Sequence, residues 1–181
     1  MRIVFMGTPD FAVPSLEALV KGGHEVAGVF SQPDKPVGRH QNKLQPTPVK
    51  VCAQSHNIPV FQPQTLRDGE ALALLKQLDP ELIVVAAYGK VLPDEILALP
   101  PKGCINVHSS LLPKYRGAAP INWAVVNGDE ETGVTIMDMA HELDAGDIIA
   151  QVRTPIGPDE LVGEVHDRLA GLGGELLTQV V

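Results

Sequence analysis

The chain has 181 residues, 44% of them apolar and 20% charged, with a formal net charge of −8. That length holds one domain with a proper core, and the composition excludes a disordered or fibrous chain. The acidic excess argues against nonspecific nucleic-acid binding over the whole surface, while leaving room for a local basic patch.

Residues 3–6 form a compact apolar run closed by Gly7 and read as a buried first strand. Thr8-Pro9-Asp10 offers helix-cap chemistry, Leu16, Leu19 and Val20 then share one helical face, and Gly22-Gly23 ends the helix. Residues 26–30 are a second strand, which makes a β-α-β start with parallel strands. From 31 to 48 the pattern dissolves into Pro, Gly, Gln and basic residues, a long loop of the kind that is functional or disordered. Thr47-Pro48 starts a helix through Ala53, residues 59–61 are a short strand, and Asp68 caps a helix carrying Leu72, Leu75 and Leu78. Residues 82–87 are the most apolar run, as expected of a central strand covered on both faces. Asp94 opens a brief helical turn, and 103–107 is the next strand. Residues 118–126 read as a helix holding the only Trp, Trp123, 133–138 as a strand, and 148–152 as another, antiparallel. From Leu161 a helix sets Val165, Leu169, Leu172 and Leu176 in register, with Gly173-Gly174 weakening it. The expected fold is α/β, a Rossmann-like open sheet, mostly parallel, with helices on both faces.

The chemistry concentrates at Asn106-Val107-His108. Residues two apart on a strand point to the same face, so Asn106 and His108 can present an amide and an imidazole to one reacting centre. The Pro and Gly residues that follow open a loop beyond the carboxyl end of the strand, where open α/β sheets keep their sites. Asp144, in the polar turn 141–147, is a candidate carboxylate partner for the imidazole; a plain turn aspartate beside Gly146 is the competing reading. The Gly7 turn lacks the dinucleotide fingerprint, since Pro9 and Ala12 stand where glycines belong, so no nicotinamide or flavin cofactor is expected. The turn is either a capped strand-to-helix junction or a backbone wall of a substrate pocket. No metal is expected: His141-Glu142 starts an H-E-x-x-H pattern that fails at Ala145. Ser109 and Ser110 lack a nucleophile elbow, and Cys52 and Cys104 read as buried structural thiols outside any C-x-x-C pair. Residues 32–44 form the most basic exposed stretch, either a solvated loop or an arm that contacts phosphates.

Together, residues 6–14, 32–36 with Gly38-Arg39, 104–113 with 115–121, 133–137 and 143–147 resemble the methionyl-tRNA formyltransferases, in the same order and over essentially the whole chain. The resemblance implies a formyltransferase catalytic domain over 1–181 that moves a formyl group from 10-formyltetrahydrofolate to the α-amine of methionyl initiator tRNA. It implies Asn106, His108 and Asp144 as the catalytic set. Ser110, Leu111, Leu112 and Pro113 would line the folate site, and the backbone of Ala86, Ala87, Tyr88, Gly89, Val91 and Leu92 would hold the pterin edge. Arg39 and Lys43 would meet tRNA phosphates. The folate is a co-substrate, no prosthetic group is implied, and a cytoplasmic monomer away from any membrane is expected. Two departures stand out. His40-Gln41-Asn42 intervene where the family continues Gly-Arg with Gly and two Lys, and the chain ends before the family's C-terminal β-barrel domain that helps bind tRNA. A formyltransferase acting on a small amine, a hydrolase releasing formate and a noncatalytic folate-binding module are the competing readings.

Overall fold

The computed structural model describes residues 1–139 and 146–181. In chain order the strands are β1 (Arg2–Gly7), β2 (Glu25–Phe30), β3 (Lys35–Val37), β4 (Lys43–Gln45), β5 (Val60–Phe61), β6 (Leu82–Ala86), β7 (Cys104–His108), β8 (Glu131–Asp138) and β9 (Ile148–Pro155). The helices are α1 (Val13–Lys21), α2 (Pro48–Ser55), α3 (Glu70–Leu78), α4 (Asp94–Leu97), α5 (Pro120–Val126) and α6 (Val162–Val180). Seven strands make one sheet in the order β5-β2-β1-β6-β7-β8-β9. β5, β2, β1, β6 and β7 run parallel, whereas β8 pairs antiparallel with both β7 and β9. The expected α/β open sheet is therefore the observed one.

The pleat divides the core into two layers. Ile3 and Phe5 of β1, Val84 of β6 and Ile105 and Val107 of β7 pack with Leu16 and Leu19 of α1 and Val165, Leu169 and Leu177 of α6. Their alternates, Val4 and Met6, Ile83 and Val85, and Cys104, pack with Ala71 and Leu75 of α3 and Ile96 of α4. Burial of each large aliphatic side chain contributes about 1.5–3 kcal/mol. A strand covered on both faces reads as an unbroken apolar run, which is why β6 is the plainest strand in the sequence.

Several local expectations are revised. The 31–48 stretch contains a two-stranded hairpin, with Lys35 opposite Gln45 and Val37 opposite Lys43. Its positions face solvent and have no apolar alternation to betray a strand. Thr8 does not cap a helix. Its hydroxyl donates to the Tyr88 carbonyl at 2.8 Å and accepts from the Gln32 N–H at 3.3 Å, tying together three loops beyond the strand ends. Thr47 does cap α2, accepting from the Lys50 N–H at 3.1 Å. Asp68 sits one residue early: its carboxylate accepts from the Glu70 N–H, and Gly69, at φ +85°, is the helix N-cap.

Gly173-Gly174 does not interrupt α6, which runs unbroken for 19 residues. The pair lets it approach its neighbours: a Cβ on Gly174 would lie 2.7 Å from the Pro14 carbonyl oxygen at the start of α1, and one on Gly173 would lie 3.2 Å from Val107 Cγ1. Intrinsic helix propensity is exchanged here for closeness of packing. At the other end of α6, Arg168 makes a two-point contact with Glu160 at 2.6 and 2.8 Å and also reaches Thr154 Oγ1 and the Pro155 carbonyl, pinning the helix to β9. No helix among the described residues is long and apolar enough to cross a membrane.

Replacing Gly174 with Ala is expected to destabilise the fold by about 1–3 kcal/mol in urea unfolding, because backbone rather than a flexible side chain must yield. A neutral or stabilising effect would show that α1 and α6 have slack at this crossing.

Candidate active site

A cavity of about 610 Å³ opens beyond the carboxyl ends of β6 and β7 and the amino-terminal side of α5. Its position follows from chain direction: parallel strands all end at this edge, and the loops after β6 and β7 diverge there. Val85 and Met137 flank Asn106 in the sheet register and share the cavity with it. His108, two residues on, lines the same space. Cys104, Asn106 and His108 therefore take one face while Ile105 and Val107 take the other. Asn106 and His108 share the face that a spacing of two gives a strand.

His108 is 7% exposed. Its Nε2 lies 3.0 Å from the Tyr115 carbonyl oxygen. A carbonyl only accepts, so Nε2 carries a proton. Tyr115 is itself braced: its hydroxyl donates to Asp129 at 2.8 Å and accepts from the Asn127 amide at 3.0 Å. The loop that holds the acceptor opposite the imidazole is thus tied to the chain between α5 and β8. Asp144 lies outside the described residues.

Backbone geometry shapes the walls. Ala87 and Ala119 line the cavity with φ of +50° and +56°, beside Gly89 and Gly117 at +89°. Non-glycine residues held in the left-handed region cost about 1–3 kcal/mol each and cluster where a fold fixes a functional backbone. Tyr88 is buried, and burial pushes its hydroxyl up to about 12, so the phenol stays protonated. Burial likewise pushes the Cys104 thiol up to about 12. That thiol shares the site's face but has little thiolate character, which removes it as a nucleophile.

The cavity contains Ala87, Tyr88, Gly89, Val91 and Leu92 of the expected folate-contacting residues, but not Ala86, which faces the opposite core layer. Ser110, Leu111, Leu112 and Pro113 do not line it either. The Ser110 hydroxyl is committed to the Lys114 carbonyl at 2.7 Å. The buried Thr135 hydroxyl donates to the Ser110 carbonyl and accepts from the Leu112 N–H, while Gln151 donates to the Leu112 carbonyl. In this structure the segment buttresses the site from behind. Sequence reasoning did not single out Lys90, Met137 and Asp138. Phe11 supports the pocket-wall reading of the Gly7 turn. Met137 was recoverable only through its pairing with Asn106, which a single sequence does not display. Arg39 sits in the turn of the hairpin and Lys43 begins β4, both exposed and both outside the cavity. The hairpin's root does reach the site's edge, where Gln32 Nε2 lies 2.7 Å from the place a Cβ on Gly89 would occupy.

The whole chain, residues 1–181, matches a family model described as formyl transferase. Methionyl-tRNA formyltransferase from Alkaliphilus oremlandii is 57% identical and that from Moorella thermoacetica 59% identical over 181 residues, in each case all of this chain. The chain spans only 58% of the length of either relative. Among solved structures, phosphoribosylglycinamide formyltransferase from Streptococcus pneumoniae TIGR4 has a TM-score of 0.80 at 24% identity, covering 99% of this chain and 96% of that one. A formyltetrahydrofolate deformylase from Pseudomonas syringae pv. tomato has a TM-score of 0.78 at 23% identity, covering 98% and 59%. These two structures share the fold.

Replacing Thr135 with Val keeps the shape but strands the Ser110 carbonyl and the Leu112 N–H. The expected loss is about 2–4 kcal/mol in urea unfolding, with Thr135→Ser close to wild type. Equal stability of the Val and Ser variants would show that the hydroxyl network does not hold this segment.

Proposed function

The chain belongs to the formyl transferase family, and on that premise we propose that residues 1–181 are the catalytic domain of an enzyme that formylates methionyl initiator tRNA for translation initiation. The donor would be 10-formyltetrahydrofolate, entering as a co-substrate, and a tRNA-binding β-barrel domain would follow in the longer protein. Identity of 57–59% along the whole chain to relatives named methionyl-tRNA formyltransferase supports this acceptor. The observation that carries the chemistry is the placement of Asn106 and His108 on one face of β7, side by side in the cavity.

The reaction joins a neutral amine to the formyl carbon. Attack turns the formyl oxygen into an oxyanion, the attacking amine gives up a proton, and collapse expels the folate nitrogen, which takes up a proton as it leaves. The Asn106 amide would donate to that oxygen. His108 would donate as well: its Nε2–H now meets the neutral Tyr115 carbonyl, and turning to an oxyanion exchanges that acceptor for a charged, stronger one. One such donor is worth about 10²–10³ in rate, or roughly 3–4 kcal/mol. Asp144 would orient the imidazole and take up, directly or through water, the proton released by the amine, a role worth about 10²–10⁴. Ala87, Tyr88, Gly89, Val91 and Leu92 would seat the pterin edge. Arg39 and Lys43, on the exposed hairpin, would meet tRNA phosphates.

Given 10-formyltetrahydrofolate and methionine-charged initiator tRNA, the protein spanning its relatives' full length is expected to make formylmethionyl-tRNA in preference to formylating elongator tRNA or a free small amine. Asn106→Ala, His108→Ala and Asp144→Ala should each lower kcat by about 10²–10⁴ with the folate KM nearly unmoved. The double variant Arg39→Ala with Lys43→Ala should instead weaken tRNA binding and flatten its salt dependence. Formate release without any acceptor, or normal turnover in the His108 variant, would contradict the scheme.

A further inference from the structure

Away from the cavity, α1 and α2 bring three unlike donors together. Among the described residues, Glu17, Cys52 and His56 form a cluster whose ligand-capable atoms all lie within 4.8 Å of one another. Cys52 and His56 are four apart, one turn along α2, with His56 at its C-cap, so their side chains fall on the same face. Glu17 projects from α1 to meet both. The Cys52 thiol donates to Glu17 Oε1 at 3.1 Å, and His56 Nε2 lies 3.0 and 3.1 Å from the two carboxylate oxygens.

We propose that Glu17, Cys52 and His56 form a binding site for a borderline-soft divalent cation of the Zn²⁺ class. The donor set decides the class. One sulfur, one imidazole nitrogen and one carboxylate oxygen suit Zn²⁺ or Co²⁺, whereas Ca²⁺ and Mg²⁺ require mainly oxygen. The distances decide the fit. Around a tetrahedral Zn²⁺, with bonds of about 2.0–2.3 Å, neighbouring donors stand roughly 3.5 Å apart. The two contacts to Glu17, at 3.0–3.1 Å, need open by only a few tenths of an ångström, and Cys52 Sγ and His56 Nε2 lie within 4.8 Å of each other, close enough to be drawn onto one ion. Access is available as well: Cys52 is nearly buried, but the Glu17 and His56 side chains are 32% and 30% exposed. The fourth position would face solvent and hold water.

Binding is a proton exchange. The S–H bond of Cys52 breaks as the metal–sulfur bond forms, and the proton leaves through the Glu17 carboxylate to solvent. Without a cation, burial and the adjacent carboxylate push that thiol up to about 12, while hydrogen bonds from His56 and then Cys52 hold Glu17 below the usual carboxylate range. A cation replaces the shared proton as the positive charge between sulfur and carboxylate. His56 must ligate through an unprotonated Nε2, so the Nε2 proton that now points at Glu17 leaves to solvent as the metal–nitrogen bond forms, and the ring keeps a proton on Nδ1. The bound ion would cross-link α1 to α2, two helices of the layer that covers β1. The sequence signal was a Cys on the expected helix and a His four residues on, past that helix's expected end at Ala53, a spacing that a search for C-x-x-C pairs passes over.

The test is Co²⁺ titration of the metal-free, reduced chain, followed by displacement with Zn²⁺. A near-ultraviolet thiolate-to-Co²⁺ charge-transfer band saturating at one equivalent is expected, together with a thermal midpoint raised by either ion. Cys52→Ser should abolish the band, His56→Ala should weaken Co²⁺ binding at least about tenfold, and Cys104→Ser should leave the band intact. No band at a several-fold excess of Co²⁺, or a band that survives Cys52→Ser, overturns the proposal.

Discussion

The pleat of β7 is the constraint on which the site depends. Ile105 and Val107 are locked into the layer with α1 and α6, being 4% and 2% exposed. Asn106 and His108 must then turn the other way. β6 fixes the register on one side through Val84 opposite Ile105, and β8 fixes it on the other through Ile136 opposite Val107. A slip of one residue would send both polar side chains into the apolar core and both branched ones into the cavity. The free energy of burying the α6 layer therefore also aims the functional groups.

The site itself is built from backbone that cannot relax locally. Ala87, Ala119 and Tyr115 hold left-handed conformations that isolated peptides avoid. The surrounding loops are tethered from elsewhere in the chain: Thr8 to the Tyr88 carbonyl beside Ala87, Tyr115 to Asp129, and Thr135 to Ser110 and Leu112. These bonds cross long sequence separations, so the loops beyond the strand ends are held by the completed sheet rather than by their own turn chemistry. Such a frame can keep donors in place before a substrate arrives, which is what electrostatic stabilisation of a developing charge requires.

Much of the fold was legible because apolar runs are strong signals when strands are covered on both faces. β1, β2, β6 and β7 declared themselves in this way, and Thr47-Pro48 announced α2 by cap chemistry. The hairpin β3–β4 stayed hidden since neither of its faces is buried. Gly173-Gly174 pointed the wrong way: propensity describes an isolated helix, whereas here a close crossing with Pro14 is decisive. The pairing of Asn106 with His108 followed from a period of two. The contacts of Ser110 and Leu112 did not, because the hydroxyl that meets them belongs to Thr135, on a strand whose neighbour could not be named from the sequence.

The central claim is that Asn106 and His108 converge on one carbonyl-sized position. A crystal structure with a stable 10-formyl folate analogue tests it most directly. The account predicts the formyl oxygen within about 3.2 Å of both the Asn106 amide nitrogen and a ring nitrogen of His108, with the pterin against residues 87–92. A formyl group seated elsewhere, with the two side chains more than a hydrogen bond away, would contradict it.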